Sequence, residues 1–228
     1  MTYTAALFDL DGTLLDTIPD LADATNAMLQ ALGLHTLPQD TIATFVGKGT
    51  GVLVERALNA QPQGTALPDQ ALALDTFHAC YHECNGNRAR LYPGVMQGLD
   101  ALSAAGLALG VVTNKPTAFS LPLLEQAGLA GYFAHIVCGD TCTQKKPHPM
   151  PFQHACDLLG VPPTHAVAVG DSMNDALSAR AAGLTVLAVP YGYNEGNDVQ
   201  SLDVDDIVSG IDEAARWVLA RNAGTLHR

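Results

Sequence analysis

The sequence predicts an α/β fold in which helices cover a parallel β-sheet and a small α-helical segment is inserted near its start. Two observations predict the sheet: short apolar, partly β-branched runs recur along the chain, and segments with helical spacing separate them. A third observation predicts the insert, since residues 18–87 show helical spacing and no strong strand-like run. From about Leu91 onward strand and helix alternate, which is typical of a parallel sheet.

Five apolar runs are the predicted strands. They comprise residues 5–8, 107–112, 135–138, 166–169 and 184–189. Each run is short enough for a buried strand and too short for a helix of ordinary length. We therefore expect a sheet of at least these five strands.

Helices are predicted between the strands because apolar residues recur there at helical spacing. The sets that share a face are Leu99, Leu102 and Ala105, then Leu121, Leu124 and Ala127, then Phe152, Ala155 and Leu159. A glycine follows each set, where a helix often ends in a residue that accepts a positive φ. A last amphipathic helix covers residues 211–219, and the tail after Asn222 is expected to fray.

The insert begins with an amphipathic helix that Gly33 stops. Its apolar residues are Leu21, Ala24, Met28, Leu29 and Leu32. Further helical segments are predicted around 52–58 and 70–84, with joints rich in glycine and proline between them. We therefore expect the chain to leave the sheet after its first strand, form a helical unit and return.

Composition and charge restrict the class of partner. The chain carries 23 acidic against 11 basic residues, a formal net charge of -12, and 48% of its residues are hydrophobic. A globular core is expected, and a nucleic-acid or membrane-surface partner is disfavoured because both are polyanions. A small anionic substrate remains possible, because a metal ion and a few cations can reverse the field inside one cleft.

The location predicted for the chain is the cytoplasm. No apolar run approaches the roughly 20 residues that a membrane helix needs. Acidic residues appear as early as Asp9, which disfavours a secretory signal. The five cysteines, an odd number, are more typical of reduced thiols than of a disulfide framework.

The densest chemical signal lies at the end of the first predicted strand. Asp9 and Asp11 follow the apolar run directly, and Gly12 and Thr13 come next. Ligands gather at the carboxyl ends of parallel strands, so both carboxylates are expected at the mouth of a cleft. An Asp-Gly turn with two solvated acids is the plainer interpretation of this segment alone.

Three further segments weigh against that plainer interpretation. A hydroxyl and an amide, Thr113 and Asn114, end another apolar strand, and Lys146 precedes a predicted helix. A third strand ends in a carboxylate within the stretch Asp171, Ser172 and Asp175. Each segment alone has an ordinary explanation, such as a strand-end threonine, a surface lysine or a helix cap. Together they predict one cleft, because the fold brings strand ends to one edge.

These four segments, in this order, resemble the motifs of the haloacid dehalogenase superfamily of phosphatases. The resemblance covers nearly the whole chain and implies a Rossmann-like parallel sheet core with a small inserted α-helical cap domain. The implied catalytic core comprises residues 1–17 and 88–228, and the implied cap comprises residues 18–87. Further stretches resemble the phosphoglycolate phosphatases within that superfamily, namely 16–21, 45–49, 91–95 and 191–196.

The resemblance implies a role for each motif residue. Asp9 is the expected nucleophile, and Asp11 is the expected general acid and base. Thr113 and Asn114 are expected to hydrogen-bond the phosphoryl oxygens, and Lys146 to neutralise charge on the nucleophile and the phosphate.

The same resemblance implies a Mg²⁺ cofactor. Its expected ligands are carboxylate oxygens of Asp9 and Asp171 and the main-chain carbonyl of Asp11, which suit a hard cation. Ser172 and Asp175 are expected to orient metal-bound water. The implied reaction is hydrolysis of a small phosphorylated metabolite, first of all 2-phosphoglycolate to glycolate and phosphate through an aspartyl-phosphate.

Several alternatives stay open at the level of function. The same core would serve a phosphatase acting on another small sugar phosphate, or a phosphomutase. A dehalogenase is disfavoured because Asp11 supplies an acid that carbon–halogen displacement does not need. A non-catalytic receiver module, which also carries Asp, Thr and Lys at strand ends, is disfavoured by the insert and by Asp11. The oligomeric state is left between monomer and homodimer.

Two local patterns suggest ligand-binding motifs that their spacing does not support. The Gly-Lys-Gly stretch around Lys48 lacks the spacing of a nucleotide phosphate loop, and we expect a cap loop in which Lys48 contacts the substrate carboxylate. His78, Cys80, His82 and Cys84 alternate on one predicted helix, so four tetrahedral zinc ligands cannot converge from them.

Overall fold

The computed structural model of the chain describes residues 2–224, so the tail expected to fray lies mostly outside them. Eight strands are described: β1 Ala5–Phe8, β2 Leu15–Asp16, β3 Arg90–Leu91, β4 Ala108–Val112, β5 His135–Val137, β6 Ala166–Gly170, β7 Thr185–Ala188 and β8 Asp206–Ile207. Nine α-helices accompany them in these residues: α1 Ile18–Ala31, α2 Gln39–Ala43, α3 Thr50–Asn59, α4 Gln70–Cys84, α5 Val95–Ala104, α6 Thr117–Gln126, α7 Met150–Leu159, α8 Met173–Ala182 and α9 Ile211–Asn222.

Six strands form one parallel sheet in the order β5-β4-β1-β6-β7-β8. The strand β1 lies at its centre, where Phe8 is aligned with Val111 of β4 on one side and Val169 of β6 on the other. The carboxyl ends of β1, β4 and β6 therefore meet at one edge. This register decides where the strand-end residues lie.

Both faces of the sheet are buried. Side chains alternate along the central strand, so Phe8 packs in one hydrophobic cluster with α5 and α9, and Leu7 in a second with α7 and α8. Because helices cover both faces, the strands read as continuous apolar runs rather than alternating ones. The α/β sheet that the sequence predicts is confirmed.

The inserted helices α1 to α4 have a core of their own. Met28, Phe77 and Tyr81 are fully buried in it, and Phe119 of α6 packs against it from the sheet side. Together these helices form the small α-helical cap that the sequence predicts.

The short strands β2, β3 and β8 were not expected from the sequence. The strands β2 and β3 pair antiparallel where the chain leaves the core for the cap and where it returns, with Leu15 opposite Leu91. Each has only two residues, too few for hydrophobic periodicity to mark a strand.

A buried carboxylate connects the two points at which the chain passes between the core and the cap. Asp20, in the first turn of α1, accepts hydrogen bonds from the backbone N–H groups of Gly86, Arg88 and Ala89 at 2.8 to 3.0 Å. The returning chain is thereby fixed to the start of the first cap helix.

Two chemical expectations can be compared with the described residues. All five cysteines are free thiols. Among residues 2–224, none of the helices combines the length and the apolar character that crossing a membrane requires.

Candidate active site

The site begins at the carboxyl ends of the three central strands. Asp9 follows β1, Thr113 follows β4 and Asp171 follows β6. The sheet ladder continues one residue past two of these strands, because Asp9 N donates to Val169 O at 3.0 Å and Thr113 N to Val137 O at 2.9 Å. Their positions are thus set by the sheet itself.

Lys146 connects two of the buried carboxylates. Its Nζ lies 2.8 Å from Asp9 Oδ1 and 2.5 Å from Asp175 Oδ1, and it donates to Val112 O at 2.7 Å. Burial alone would lower the pKa of Lys146, but the charges of Asp175 and Asp9 outweigh it and leave that pKa raised. The ammonium therefore stays charged at neutral pH.

The Asn114 side chain holds Lys146 in place. Its Oδ1 accepts from Lys146 N at 2.9 Å, and its Nδ2 donates to Lys146 O at 2.9 Å and to Gly47 O of the cap at 3.0 Å. Both amide hydrogens are used by these bonds. The structure thus brings Asn114 to the site but directs its side chain to the two loops beside it.

Asp171 lies in a cavity made for it by two glycines. A Cβ on Gly12 would come within 2.6 Å of Asp171 Oδ2, and one on Gly192 within 2.1 Å of Asp171 Cβ. The carboxylate accepts from Thr13 Oγ1 at 3.0 Å and from Tyr193 N at 2.7 Å. Burial, followed by the charge of Asp175, raises the pKa of Asp171 to about 7.

Asp175 begins the helix that follows. Its Oδ2 accepts from Ser172 Oγ at 2.6 Å and from Ser172 N at 3.2 Å, while its Oδ1 faces Lys146. The pair Ser172 and Asp175 therefore fixes the turn that carries Asp171.

The carboxylates at this edge suit a divalent cation. One oxygen each of Asp9, Asp171 and Asp175 lies within 4.8 Å of the others. Burial, and next the charge of Asp175, raises the pKa of Asp9 well above its ordinary value. Three buried carboxylates share one ammonium, that of Lys146, so negative charge remains in excess when all three are ionised. An oxygen-binding cation such as Mg²⁺ fits this donor set.

Asp11 lies beside the acidic group and has two partners of its own. Its Oδ1 accepts from Thr17 Oγ1 at 2.6 Å and from Lys115 Nζ at 3.0 Å. Lys115 is also hydrogen-bonded to Tyr81 Oη, and its Nζ lies 4.7 Å from the centre of that ring. Burial acts to lower the pKa of Lys115, but the charge of Asp11 and the Tyr81 hydroxyl leave it raised.

Lys115, Tyr81 and Tyr193 are site residues that the sequence analysis did not single out. Lys115 closes the strand-end segment that contains Thr113 and Asn114, which was the available signal. Tyr81 belongs to the cap helix α4, and its sequence distance from Lys115 hides the contact.

A cleft opens between the strand ends and the cap. The core contributes its polar lining: Asp9, Asp11, Thr113, Asn114 and Lys115. The cap contributes a largely apolar wall: Leu21, Val46, Gly47, Gly49, Thr50 and Leu53. The predicted site residues Asp9, Asp11, Thr113 and Asn114 thus share one cleft.

Lys48 is placed differently from the other predicted residues. Its Nζ lies 2.9 Å from Glu195 Oε1, and Arg56 Nη2 lies 3.1 Å from the other oxygen of the same carboxylate. Lys48 does not line the cleft as described. Reaching a substrate would require this ion pair to break.

The loop that carries Glu195 also contacts Asp171 and the cap junction. Tyr193 donates its N–H to Asp171, and its hydroxyl donates to Asp16 Oδ1 at 2.9 Å and accepts from Thr17 N at 2.7 Å. Glu195 adopts a φ of 53°, a left-handed conformation that is uncommon outside glycine. One loop thus touches the acidic group, the strand β2 and the cap.

Known proteins that are similar to this chain are consistent with this geometry. A family model described as haloacid dehalogenase-like hydrolase matches residues 6–189. A phosphoglycolate phosphatase from Nitrosospira multiformis is 49% identical over 217 residues, covering 94% of this chain and 95% of that protein.

Solved structures with a similar fold are consistent with the same family. A crystal structure from Haemophilus somnus, described as a predicted phosphoglycolate phosphatase, superposes with a TM-score of 0.91 at 33% identity over 95% of this chain and 98% of that one. A variant of CbbY from Rhodobacter sphaeroides in complex with xylulose-1,5-bisphosphate superposes with a TM-score of 0.78 at 25% identity, covering 93% and 96% of the two chains. The chain therefore belongs to the haloacid dehalogenase-like hydrolases and is a phosphoric monoester hydrolase similar to the phosphoglycolate phosphatases.

Proposed function

We propose that the chain hydrolyses 2-phosphoglycolate to glycolate and phosphate, with Mg²⁺ as cofactor and Asp9 as the nucleophile. The observation that carries this proposal is the position of Asp9, at the end of the central strand and 2.8 Å from Lys146. Asp11 and Thr113 line the same cleft. The relatives named phosphoglycolate phosphatase supply the choice of substrate.

The reaction proceeds in two displacements. In the first, an Asp9 carboxylate oxygen forms a bond to phosphorus while the bond from phosphorus to the ester oxygen breaks, and Asp11 gives its proton to that oxygen. In the second, water attacks phosphorus, Asp11 takes a proton from the water, and the bond between Asp9 and phosphorus breaks. Asp9 and Asp11 both return to their starting states.

The remaining residues act on charge and position. Thr113 donates its hydroxyl to a phosphoryl oxygen, and Lys146 offsets negative charge on Asp9 and the phosphate. Asp9, Asp171 and the main-chain carbonyl of Asp11 would hold the Mg²⁺, while Ser172 and Asp175 fix the turn around Asp171. When bound, the ion supplies positive charge that offsets the repulsion between a carboxylate and a phosphate dianion.

A sugar phosphate is the second candidate substrate. The related CbbY variant was solved with xylulose-1,5-bisphosphate. Asp9, Asp11 and Thr113 would serve either substrate, so the rest of the cleft lining decides between them. We assign residues 18–87 to that cap and the remainder to the core.

A panel of phosphomonoesters tests the function. Phosphate release is measured with Mg²⁺ for 2-phosphoglycolate and several sugar phosphates, and the substrates are ranked by kcat/KM. We expect 2-phosphoglycolate to rank first, and EDTA to abolish turnover until Mg²⁺ is added back. A higher rank for a sugar phosphate would replace the substrate, and turnover in EDTA would contradict the metal assignment.

The cellular setting is part of the proposal. We assign the chain to the cytoplasm on its free thiols, and we expect no nucleic-acid or membrane partner because of the net charge of -12. The assembly is a monomer or a homodimer.

A further inference from the structure

We infer that Lys115 binds the carboxylate of the substrate and so makes the cleft selective for phosphate esters with a carboxylate one carbon from the ester oxygen. This inference rests on the proposed function and names the group that would choose the substrate. Lys115 is the only cationic residue among the described residues that line the cleft.

The position of Lys115 suits a very short substrate. Asp11, which protonates the leaving oxygen in the proposed reaction, lies 3.0 Å from Lys115 Nζ. In 2-phosphoglycolate a single methylene group separates the ester oxygen from the carboxylate. A cation that recognises this carboxylate must therefore lie close to the group that protonates the ester oxygen, and Lys115 does.

The ammonium is held ready for a ligand. The side chain is only 2% exposed, and two of its three N–H groups point to Asp11 and Tyr81. The third is left for a ligand oxygen. Because the cation is already desolvated and fixed, binding a carboxylate orders little additional structure.

The opposite wall of the cleft disfavours a sugar. Leu21, Val46 and Leu53 offer no side-chain hydrogen-bond partner for hydroxyl groups. The Thr50 hydroxyl is hydrogen-bonded to His78 Nε2 at 3.0 Å. A two-carbon acid places few polar atoms against this wall, whereas a sugar would leave several hydroxyls without partners.

The test compares two substrates that differ only at the carboxylate. Ethyl phosphate replaces the carboxylate of 2-phosphoglycolate by a methyl group. The readout is the ratio of kcat/KM for the two esters, measured with Mg²⁺ in the wild type and in Lys115→Met. Lys145→Met is the matched control, since Lys145 is exposed and does not line the cleft.

We expect Lys115→Met to lower the ratio by about 10- to 100-fold, the usual effect of losing a charged hydrogen bond to substrate. Lys145→Met should keep the wild-type ratio. An equal loss on both esters, with the ratio unchanged, would mean that Lys115 only supports Asp11, and the inference would be overturned. An unchanged kcat/KM for both esters would overturn it as well.

The wild type alone provides a second measurement, independent of whether the variant folds. We expect kcat/KM to fall at least about tenfold when a second methylene is inserted between ester oxygen and carboxylate, because the carboxylate then no longer matches the fixed ammonium. Equal turnover of the longer ester overturns the inference while 2-phosphoglycolate remains a substrate. If the wild type hydrolyses ethyl phosphate and not 2-phosphoglycolate, the proposed substrate fails too.

Discussion

Asp9 gains its proposed reactivity from its neighbours rather than from exposure. Its carboxylate is 12% exposed and lies against Lys146, with Asp171 and Asp175 close by. Burial, and next the charge of Asp175, makes the ionised form of Asp9 unfavourable without a cation, which explains why its pKa is raised.

Replacing Asp9 by asparagine removes the nucleophile and keeps the shape. We expect Asp9→Asn to lower phosphate release by at least about a thousandfold, because an amide does not form the covalent intermediate. Thermal unfolding should show a fold as stable as the wild type. Asp157→Asn, the same change on the exposed face of α7, is the control. Turnover by Asp9→Asn at the wild-type rate would rule out the covalent route.

Some site residues directly follow an apolar strand in the sequence, whereas others reach the site from distant segments of the chain. Asp9, Thr113 and Asp171 each follow an apolar run, so the parallel-sheet rule places them together. Tyr81 and Tyr193 reach the site from a cap helix and from a loop after β7. No local pattern predicts such contacts, because packing between distant segments creates them.

At the scale of elements, Asp20 holds the cap to the core. Removing the carboxylate takes the acceptor away from three backbone N–H groups. We expect Asp20→Ala to lower the free energy of unfolding by about 2–4 kcal/mol, as measured by urea denaturation.

The neighbouring acid on the same helix is the control for Asp20. Asp23 forms an ion pair with Arg88 in which both side chains are about half exposed, so Asp23→Ala should cost less than about 1 kcal/mol. Similar losses for the two variants would contradict a special role for Asp20.

The Glu195 loop is a second connection between cap and core. We expect Glu195→Gln to weaken the pairing with Lys48 and Arg56, to speed amide exchange in residues 45–56, and to lower kcat/KM by about three- to tenfold. Glu125→Gln, on an exposed position of α6, should change neither quantity. Wild-type exchange rates in Glu195→Gln would show that the loop does not restrain the cap.

At the scale of the whole molecule, hydrophobic patterning predicts the large elements and misses the small ones. The run at residues 5–8 coincides with β1, and the run at 107–112 starts one residue before β4. The pair β2 and β3 carries too few residues for a pattern, although it joins the two units. Fold class thus follows from many averaged positions, whereas the junction depends on a few backbone bonds.

Stability should depend on pH in a way that reveals the metal site. The pKa of Asp171 is about 7 in the fold against an ordinary 3.8, so between these values the folded chain binds the proton that the unfolded chain has lost. Without metal, this group therefore makes the fold less stable as pH rises from about 4 to 7. Mg²⁺ offsets the buried charge, so the increase in Tm that it causes should be larger at pH 8 than at pH 5.

Thermal unfolding with and without Mg²⁺ at the two pH values measures this effect. Asp171→Asn should reduce the pH-dependent part, because an amide does not titrate, and Asp9, whose pKa is also raised, should supply the rest. An equal increase in Tm at pH 5 and pH 8 would contradict the assignment of the acidic group.

The antiparallel pair of β2 and β3 also bears on how the substrate range of such an enzyme can change in evolution. The chain leaves and re-enters the core at two neighbouring, hydrogen-bonded strands, so everything between them can be lengthened, shortened or exchanged without cutting the sheet. The catalytic residues at the strand ends would then be kept, while changes in the inserted segment would alter the cap side of the cleft. Replacing the segment between residues 17 and 88 by the corresponding helices of a relative would reproduce such an exchange in the laboratory.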